Sequence, residues 1–169
     1  MAGERIGALP KVDAVYASPL ERAQETARPI AKARGLRVRT ERGLNECDFG
    51  EWTGADLAKL RRKREWKAVQ RYPSGFRFPG GESFAEMQVR MTGALDRLRH
   101  RHEGGVVVAV SHADPIKAAV ADAMGTHLDL FQRLVISPAS VTAIAYGETG
   151  PVVLTVNSTG EALASLAPS

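Results

Sequence analysis

The sequence predicts an α/β fold in which helices cover a mostly parallel sheet, as a three-layer α/β/α sandwich. Two short apolar runs rich in strand-forming residues, Val12–Ala17 and Val106–Val110, are each followed by a helical segment. Near the C-terminus, the turn sequence GETGP joins Val141–Tyr146 and Val152–Asn157 into an antiparallel hairpin. In α/β folds ligands bind at the carboxyl ends of the strands, so the residues that follow the first two runs are candidates for a site.

The first long helix is predicted to begin directly after the first strand. Ser18 is a typical N-cap residue, Pro19 suits the first helical position, and Glu21 completes a capping box. The helix is expected to run to about Ala33, with Gly35 as its stop. This start brings the first helical turn to the carboxyl end of the strand.

The middle of the chain alternates between regular segments and loops. Leu36–Thr40 is predicted as a short strand, and Gly43–Gly54 as a polar loop punctuated by glycines. Ala55–Gln70 has the pattern of a helix, and Tyr72–Gly81 is a connection rich in proline, glycine and serine. No linker divides the chain, so residues 1–169 are expected to form one domain, with a loose tail after about residue 158.

The second half repeats the strand and helix alternation. Apolar residues at helical spacing predict a helix from Ser83 to about His102. Val106–Val110 is the clearest buried strand, because all five residues are apolar. Asp114–Met124 is predicted as the next helix, and Leu128–Val135 as another short one.

Composition excludes several classes of protein. The chain has 44% hydrophobic and 25% charged residues, and no apolar run approaches the length needed to cross a bilayer. Its first ten residues lack the apolar core of a secretion signal. Cys47 is the only cysteine, so no intrachain disulfide can form, which fits a reducing cytoplasm. The sequence therefore predicts a cytoplasmic protein without a membrane partner.

The net charge of +4 favours anionic partners without choosing among them. The densest basic stretch, Arg61–Lys67, is either a solvated helix face or a rim that draws anions toward a nearby pocket. Trp66 is its only aromatic residue, so a surface for stacking nucleic-acid bases is poorly supported. We therefore expect a small anionic substrate and no nucleic acid as a partner.

Three side chains are candidates for a site at the sheet edge. Arg22 lies in the first helical turn and has the bidentate geometry that grips phosphate, although alone it also fits an exposed surface arginine. His112 follows the central strand and is suited to bind a phosphoryl oxygen, or to a structural role. Glu46 lies in the glycine-rich loop and is either a proton donor with a raised pKa or an ordinary loop acid.

The segments SPLERAQETA, LNECDFGEWTG, GGESFAEMQVR and VVVAVSHADPIKA resemble, in this order, motifs of the histidine phosphatase superfamily, the phosphoglycerate-mutase-like group. The resemblance runs from about residue 10 to residue 157 and implies an α/β sandwich that passes a phosphoryl group through a phosphohistidine. It implies that Arg22 clamps phosphate, that Glu46 is the acid/base, and that His112 is the second histidine, which stabilises the transferring group.

The resemblance also assigns supporting residues. Glu82 and Ser83 occupy the GES position of the family and are expected to support the pocket, as is Ser18. The implied chemistry needs no cofactor and no metal. His100, His102 and His127 lie in charged or polar settings and are expected at the surface.

One departure from the family pattern is large. The family begins with a strand ending in Arg-His-Gly, whose histidine is the nucleophile, and no Arg-His-Gly occurs in this sequence. We therefore expect an N-terminally truncated chain, either because the start codon is assigned too late or because the chain is a non-catalytic remnant. Little or no phosphatase turnover is expected of the 169 residues. Loss of a central strand would expose the edges of Val12–Ala17 and Val106–Val110 and favour self-association.

These observations lead to a phosphatase-type enzyme in the full-length form, acting on a small phosphorylated metabolite. The segment between Gly54 and Gly80 is short, which favours a phosphatase over a phosphoglycerate mutase. The alternative of a different class is a phospho-ligand binding module without catalysis.

Overall fold

A three-stranded parallel sheet forms the centre of the fold in the computed structural model, which describes residues 2–160. Its strands are β1 (Ala14–Ala17), β2 (Val38–Thr40) and β3 (Val107–Val110), in the order β2-β1-β3. Ala17 pairs with Thr40 on one side and with Val110 on the other. The three strands thus end at the same level, and the segments that follow them share one edge of the sheet.

The helices lie at nearly all the places that the sequence pattern predicts. Their bounds are α1 (Ala2–Gly7), α2 (Glu21–Ala33), α3 (Leu57–Leu60), α4 (Trp66–Arg71), α5 (Phe84–Arg101) and α6 (Ala113–Ala123). Short 3₁₀ turns occur at Arg42–Leu44, Gly50–Trp52, Pro73–Gly75 and Leu128–Arg133. None of the helices among residues 2–160 is long and apolar enough to traverse a bilayer.

The strand β1 buries side chains on both faces of the sheet. Val15 and Ala17 pack against apolar side chains of α1 and α2, among them Ile30 of α2. Ala14 and Tyr16 point to the opposite face and pack with α5 and α6. Because side chains alternate along a strand, this division places helices on both sides of the sheet and confirms the three-layer α/β fold.

The start of α2 differs from its prediction. The helix begins at Glu21 with Leu20 as N-cap, and no side chain caps it. Ser18 lies outside the helix, where its hydroxyl accepts a hydrogen bond from the Leu20 backbone at 3.2 Å and contacts His112 and Asn45. The predicted capping box is therefore wrong, because the serine oxygen is engaged by residues distant in sequence.

The predicted helix over residues 55–70 is also wrong as a single element. It is interrupted between α3 and α4 by residues 61–65, and the four consecutive basic residues at 61–64 are all exposed. No apolar side chain in that run could anchor a helical face to the core, so burial does not drive a continuous helix there.

The most buried strand is β1, although β3 has the more apolar sequence. All four residues of β1 are buried, whereas all four residues of β3 are half-buried and the preceding Val106 is 41% exposed. The central position of β1 between β2 and β3 explains its burial. The sequence predicts exposed edges for both Val12–Ala17 and Val106–Val110. The partial exposure of β3 agrees with this prediction, whereas the prediction is wrong for Val12–Ala17, because β1 is buried.

The C-terminal hairpin is confirmed and forms a separate sheet. Strands β4 (Val141–Gly147) and β5 (Gly150–Ser158) pair antiparallel, as the turn sequence predicts. Val141 at the start of β4 packs against the same apolar cluster as Val108 and Val110 of β3. The tail predicted after residue 158 lies almost entirely outside the described residues.

Candidate functional site

The three predicted site residues converge at the carboxyl edge of the parallel sheet. Arg22, in the first turn of α2, donates from Nε to Nδ1 of His112 at 3.1 Å. Its Nη2 lies 3.9 Å from Oε2 of Glu46. His112 lies two residues after the end of β3 and is the N-cap of α6. Side chains from three separate segments thus meet in one cluster, which we call the edge cluster.

Ser18 links His112 to the loop that carries Glu46. The buried Ser18 hydroxyl lies 2.9 Å from Nε2 of His112 and donates to Oδ1 of Asn45 at 2.8 Å. Asn45 is a residue that sequence reasoning missed. Its only signal was its place beside Glu46, since asparagine in a loop is most often a turn residue.

Burial sets the electrostatics of the acid in the edge cluster. The Glu46 side chain is 19% exposed, and burial raises its pKa to about 7. A hydrogen bond from the Cys47 backbone and the charges of Arg22 and Lys117 act in the opposite direction, while Asp114 adds to the rise. A carboxyl group with this pKa exchanges its proton near neutral pH, which is the property a general acid or base requires.

Burial also keeps the imidazole of the edge cluster neutral. His112 is 7% exposed, and its burial, followed by the positive charges of Arg22 and Arg90, lowers its pKa to about 4. The guanidinium of Arg22 is held close to His112 while its side chain remains 63% exposed. A guanidinium open to solvent beside a buried imidazole is suited to receive an anionic group.

A second arginine braces the loop under the edge cluster. Arg90 of α5 donates to the backbone carbonyls of Gly43 at 2.8 Å, Asn45 at 3.0 Å and Glu46 at 3.2 Å. The same guanidinium binds both carboxylate oxygens of Glu82 at 2.8 Å. Sequence reasoning missed Arg90, which resembled any other polar residue of a long helix.

The two residues of the GES segment have different contacts. Glu82 holds Arg90 and also accepts from the Asp48 backbone at 3.3 Å. Ser83 is the N-cap of α5 and forms a capping box with Glu86. Glu82 thus acts on the loop, whereas Ser83 fixes the start of the helix that carries Arg90.

An open cleft of about 360 Å³ lies beside the edge cluster. Asn45 and Glu46 line one part of it, and Arg90 and Glu82 line another. Its lining is polar and contains four carboxylates and two guanidinium groups, whereas Arg22 and His112 lie outside it. In the described part of the chain, no three His, Cys, Asp or Glu side chains come together as a metal site.

The remaining histidines lie away from the edge cluster. His100 and His127 have exposed side chains, as expected, with His100 contacting the Asp96 backbone. The expectation is wrong for His102, which is half-buried and hydrogen-bonded to the Tyr16 hydroxyl at 3.0 Å. Of the four histidines, only His112 belongs to the cluster.

Comparison with known proteins defines the class. A sequence profile of the histidine phosphatase superfamily, branch 1, matches residues 2–159, so the chain belongs to this superfamily. The predicted resemblance to that superfamily is confirmed, and the family is one of enzymes that includes phosphatases.

One relative is similar over most of its length. The chain is 34% identical over 158 residues to phosphoserine phosphatase 1 of Hydrogenobacter thermophilus, which covers 88% of this chain and 71% of that protein. It spans 42% to 64% of the length of several other curated relatives.

Solved structures share the fold. YhfR of Bacillus stearothermophilus superposes with a TM-score of 0.85 at 25% identity, covering 94% of this chain and 82% of that one. A mutant phosphoserine phosphatase of Entamoeba histolytica, in complex with phosphoserine, superposes with a TM-score of 0.81 at 26% identity, covering 93% and 80%.

Proposed function

We propose that the edge cluster binds the phosphoryl group of a small phosphorylated metabolite, as part of a phosphatase-type site. The observation that supports this most directly is the convergence of Arg22, Glu46 and His112 at the carboxyl edge of the sheet. A guanidinium, a carboxyl group that titrates near neutral pH and an imidazole are the groups that bind and protonate a phosphate ester.

Each residue has a distinct proposed role. Arg22 turns its exposed guanidinium to two phosphoryl oxygens, which it binds bidentately. His112 binds a third phosphoryl oxygen and stabilises the charge of the transferring group. Glu46 gives its proton to the leaving alkoxide, because its raised pKa keeps a large fraction protonated at neutral pH.

Transfer through a phosphohistidine requires a nucleophilic histidine beside the phosphoryl group. His112 already contacts Arg22 and Ser18, and the other three histidines of this chain lie elsewhere. Binding groups alone do not replace a covalent nucleophile. We therefore propose that the 169 residues bind phosphate esters but turn them over slowly or not at all.

The lack of a nucleophilic histidine beside the edge cluster, among the described residues, favours a second candidate function. A chain with an anion-binding cluster and no nucleophile among its described histidines has the properties of a phospho-ligand binding module. Turnover separates the two functions, since both predict binding. A phosphoglycerate mutase is less favoured, because α3 and α4 contain only four and six residues and offer little cover for a site.

Phosphoserine is the first substrate to test. Two similar proteins are phosphoserine phosphatases by name, one of them in complex with phosphoserine. The exposed basic run of residues 61–64 adds positive potential that favours multiply charged substrates.

We further propose that the protein is cytoplasmic and forms a homo-oligomer. Cys47 is buried, and its burial raises the pKa of the thiol. A buried thiol of this kind is unreactive, which fits a reducing compartment.

Calorimetric titration with phosphoserine and inorganic phosphate tests the proposed binding. Arg22→Ala and His112→Ala are each expected to weaken binding about 10-fold to 100-fold, as for the loss of a charge-assisted hydrogen bond. Arg28→Ala, at an exposed position of the same helix, and His100→Ala, at an exposed position of α5, are matched controls that retain binding. Equal affinity in all four variants would refute the proposed site.

A further inference from the structure

Both ring nitrogens of His112 are engaged, and Arg22 determines which one carries the proton. An arginine Nε–H always donates and never accepts. The contact at 3.1 Å therefore requires that Nδ1 of His112 be the acceptor, without a proton. In the neutral ring the proton is then on Nε2, which faces Ser18 at 2.9 Å.

The contacts of Ser18 agree with this assignment. A serine hydroxyl has one proton and two acceptor lone pairs. The proton goes to Oδ1 of Asn45, and the lone pairs receive the Leu20 backbone N–H and Nε2–H of His112. Ser18 and Asn45 thus act as positioning residues that hold His112 in the Nε2–H tautomer.

We propose that binding of a tetrahedral dianion at the edge cluster is coupled to uptake of a proton by Nδ1 of His112. This inference rests on the proposed function. An anion oxygen that replaces Arg22 at Nδ1 would meet a lone pair, which repels it, unless that nitrogen becomes a donor. Nε2 keeps its own proton because Ser18 offers it an acceptor, so the ring becomes an imidazolium and the proton comes from solvent.

The surroundings of His112 disfavour its protonated form in the free protein and favour it once the anion is bound. Arg22 of α2 and Arg90 of α5 disfavour the imidazolium in the free protein. Glu46 of the loop lies beside Arg22, and Asp114 and Lys117 of α6 form a pair with each other. A dianion introduces two negative charges next to the ring and thereby favours its protonated form.

The coupling predicts weaker binding at higher pH. When the complex holds one more proton than the free protein, affinity falls about tenfold for each unit rise in pH. The window lies above the pKa of free His112, near 4, and extends to the pKa of the ring in the complex. If the Asn45 amide were rotated, Asn45 would donate to Ser18 and Ser18 would donate to Nε2 of His112. The ring would then carry its proton on Nδ1, and the affinity would be independent of pH.

Sulfate is the probe, because it remains a dianion throughout this window and brings no proton with it. The Glu46→Gln variant removes the carboxyl group of the edge cluster, whose raised pKa of about 7 would otherwise contribute to the same pH range. In this variant we expect sulfate affinity to fall about tenfold per unit from about pH 5 to pH 7, and calorimetry in buffers of different protonation enthalpy to report about one proton taken up. Nitrogen NMR of the histidine rings is expected to show His112 changing from the Nε2–H tautomer to the imidazolium.

The positioning residues provide the decisive variants. In the Glu46→Gln background, Asn45→Ala frees the Ser18 hydroxyl to donate to Nε2, and Ser18→Ala removes the partner of Nε2. Either change lets a neutral Nδ1–H ring bind the anion, so the pH dependence of sulfate affinity is expected to disappear. Ser137→Ala, in the loop before β4, is the matched control that keeps it.

The outcomes separate this inference from the proposed function. Sulfate binding with a pH-independent affinity and a neutral His112 would overturn the coupling and leave the site intact. The same pH dependence in Asn45→Ala and Ser18→Ala as in their parent would overturn the role of the positioning residues. Failure of sulfate, phosphate and phosphoserine to bind at any pH would refute the proposed function and the coupling together.

Discussion

Arg90 and Glu82 form a two-point ion pair between α5 and the segment that precedes it, and this pair supports the loop of the edge cluster. Their side chains are 25% and 16% exposed. The arginine also donates to three backbone carbonyls of residues 43–46. One side chain thus positions both Asn45 and Glu46.

Arg90→Met is expected to lower the free energy of unfolding by about 2 to 4 kcal/mol, because it removes the cation that pairs with the half-buried Glu82 carboxylate and the donor to three loop carbonyls. Urea denaturation measures the change. Arg99→Met, which removes an exposed pair with Asp96, is the matched control and is expected to cost less than about 1 kcal/mol. A similar small cost for Arg90→Met would show that the pair does not hold the loop.

The raised pKa of Glu46 predicts a stability that depends on pH. The folded protein binds this proton more tightly than the unfolded chain, so the contribution is complete below about pH 4.5 and is lost as pH rises through about 7. Glu46→Gln is therefore expected to be more stable than the parent at about pH 8 by up to about 3 kcal/mol, with the gain vanishing near pH 4.

Urea denaturation of the parent and of Glu46→Gln over a pH series tests this prediction by giving the free energy of unfolding at each pH. Carbon NMR of the Glu46 carboxyl group follows its titration directly. Glu25→Gln, at an exposed position of α2, serves as the control with no such trend. A carboxyl that titrates near its ordinary value of 4.5 would contradict the burial argument.

His112 predicts the opposite dependence in acid. Its pKa is lowered in the folded protein, so the contribution to stability is complete above about 6.5 and is lost as pH falls through about 4. Replacing the ring by a neutral amide in His112→Gln is expected to remove this loss, measured as a smaller decline of unfolding free energy between about pH 6.5 and pH 4. An equal decline in parent and variant would show that other groups cause the acid sensitivity.

The purified 169-residue chain is expected to show little or no hydrolysis of p-nitrophenyl phosphate, since covalent phosphoryl transfer needs a nucleophile beside the site. Continuous absorbance measurement of the released nitrophenol tests this. Sustained hydrolysis that His112→Ala abolishes and His100→Ala leaves unchanged would contradict the prediction. In that case His112 itself would be required for turnover.

Local patterns were enough to predict most elements of this chain. Apolar runs identified β1 and β3, the GETGP turn identified the hairpin, and the positions of Arg22 and His112 after strands predicted a common edge. These features depend on neighbouring residues and on the rule that parallel strands end together. Glu46 had only an ordinary place in a loop, and the resemblance to the family was needed to assign it to the same site.

Burial and hydrogen-bond partners were decided by the tertiary structure. Ser18 has the sequence of a helix cap but binds His112, 94 positions away, because the edge of the sheet brings the two together. Neither Arg90 nor Asn45 could be assigned its role from neighbouring residues, since these roles depend on a carbonyl and a hydroxyl that only the folded chain brings within about 3 Å. Likewise β1 is more buried than the more apolar β3, because position within the sheet, and not composition, determines what covers a strand.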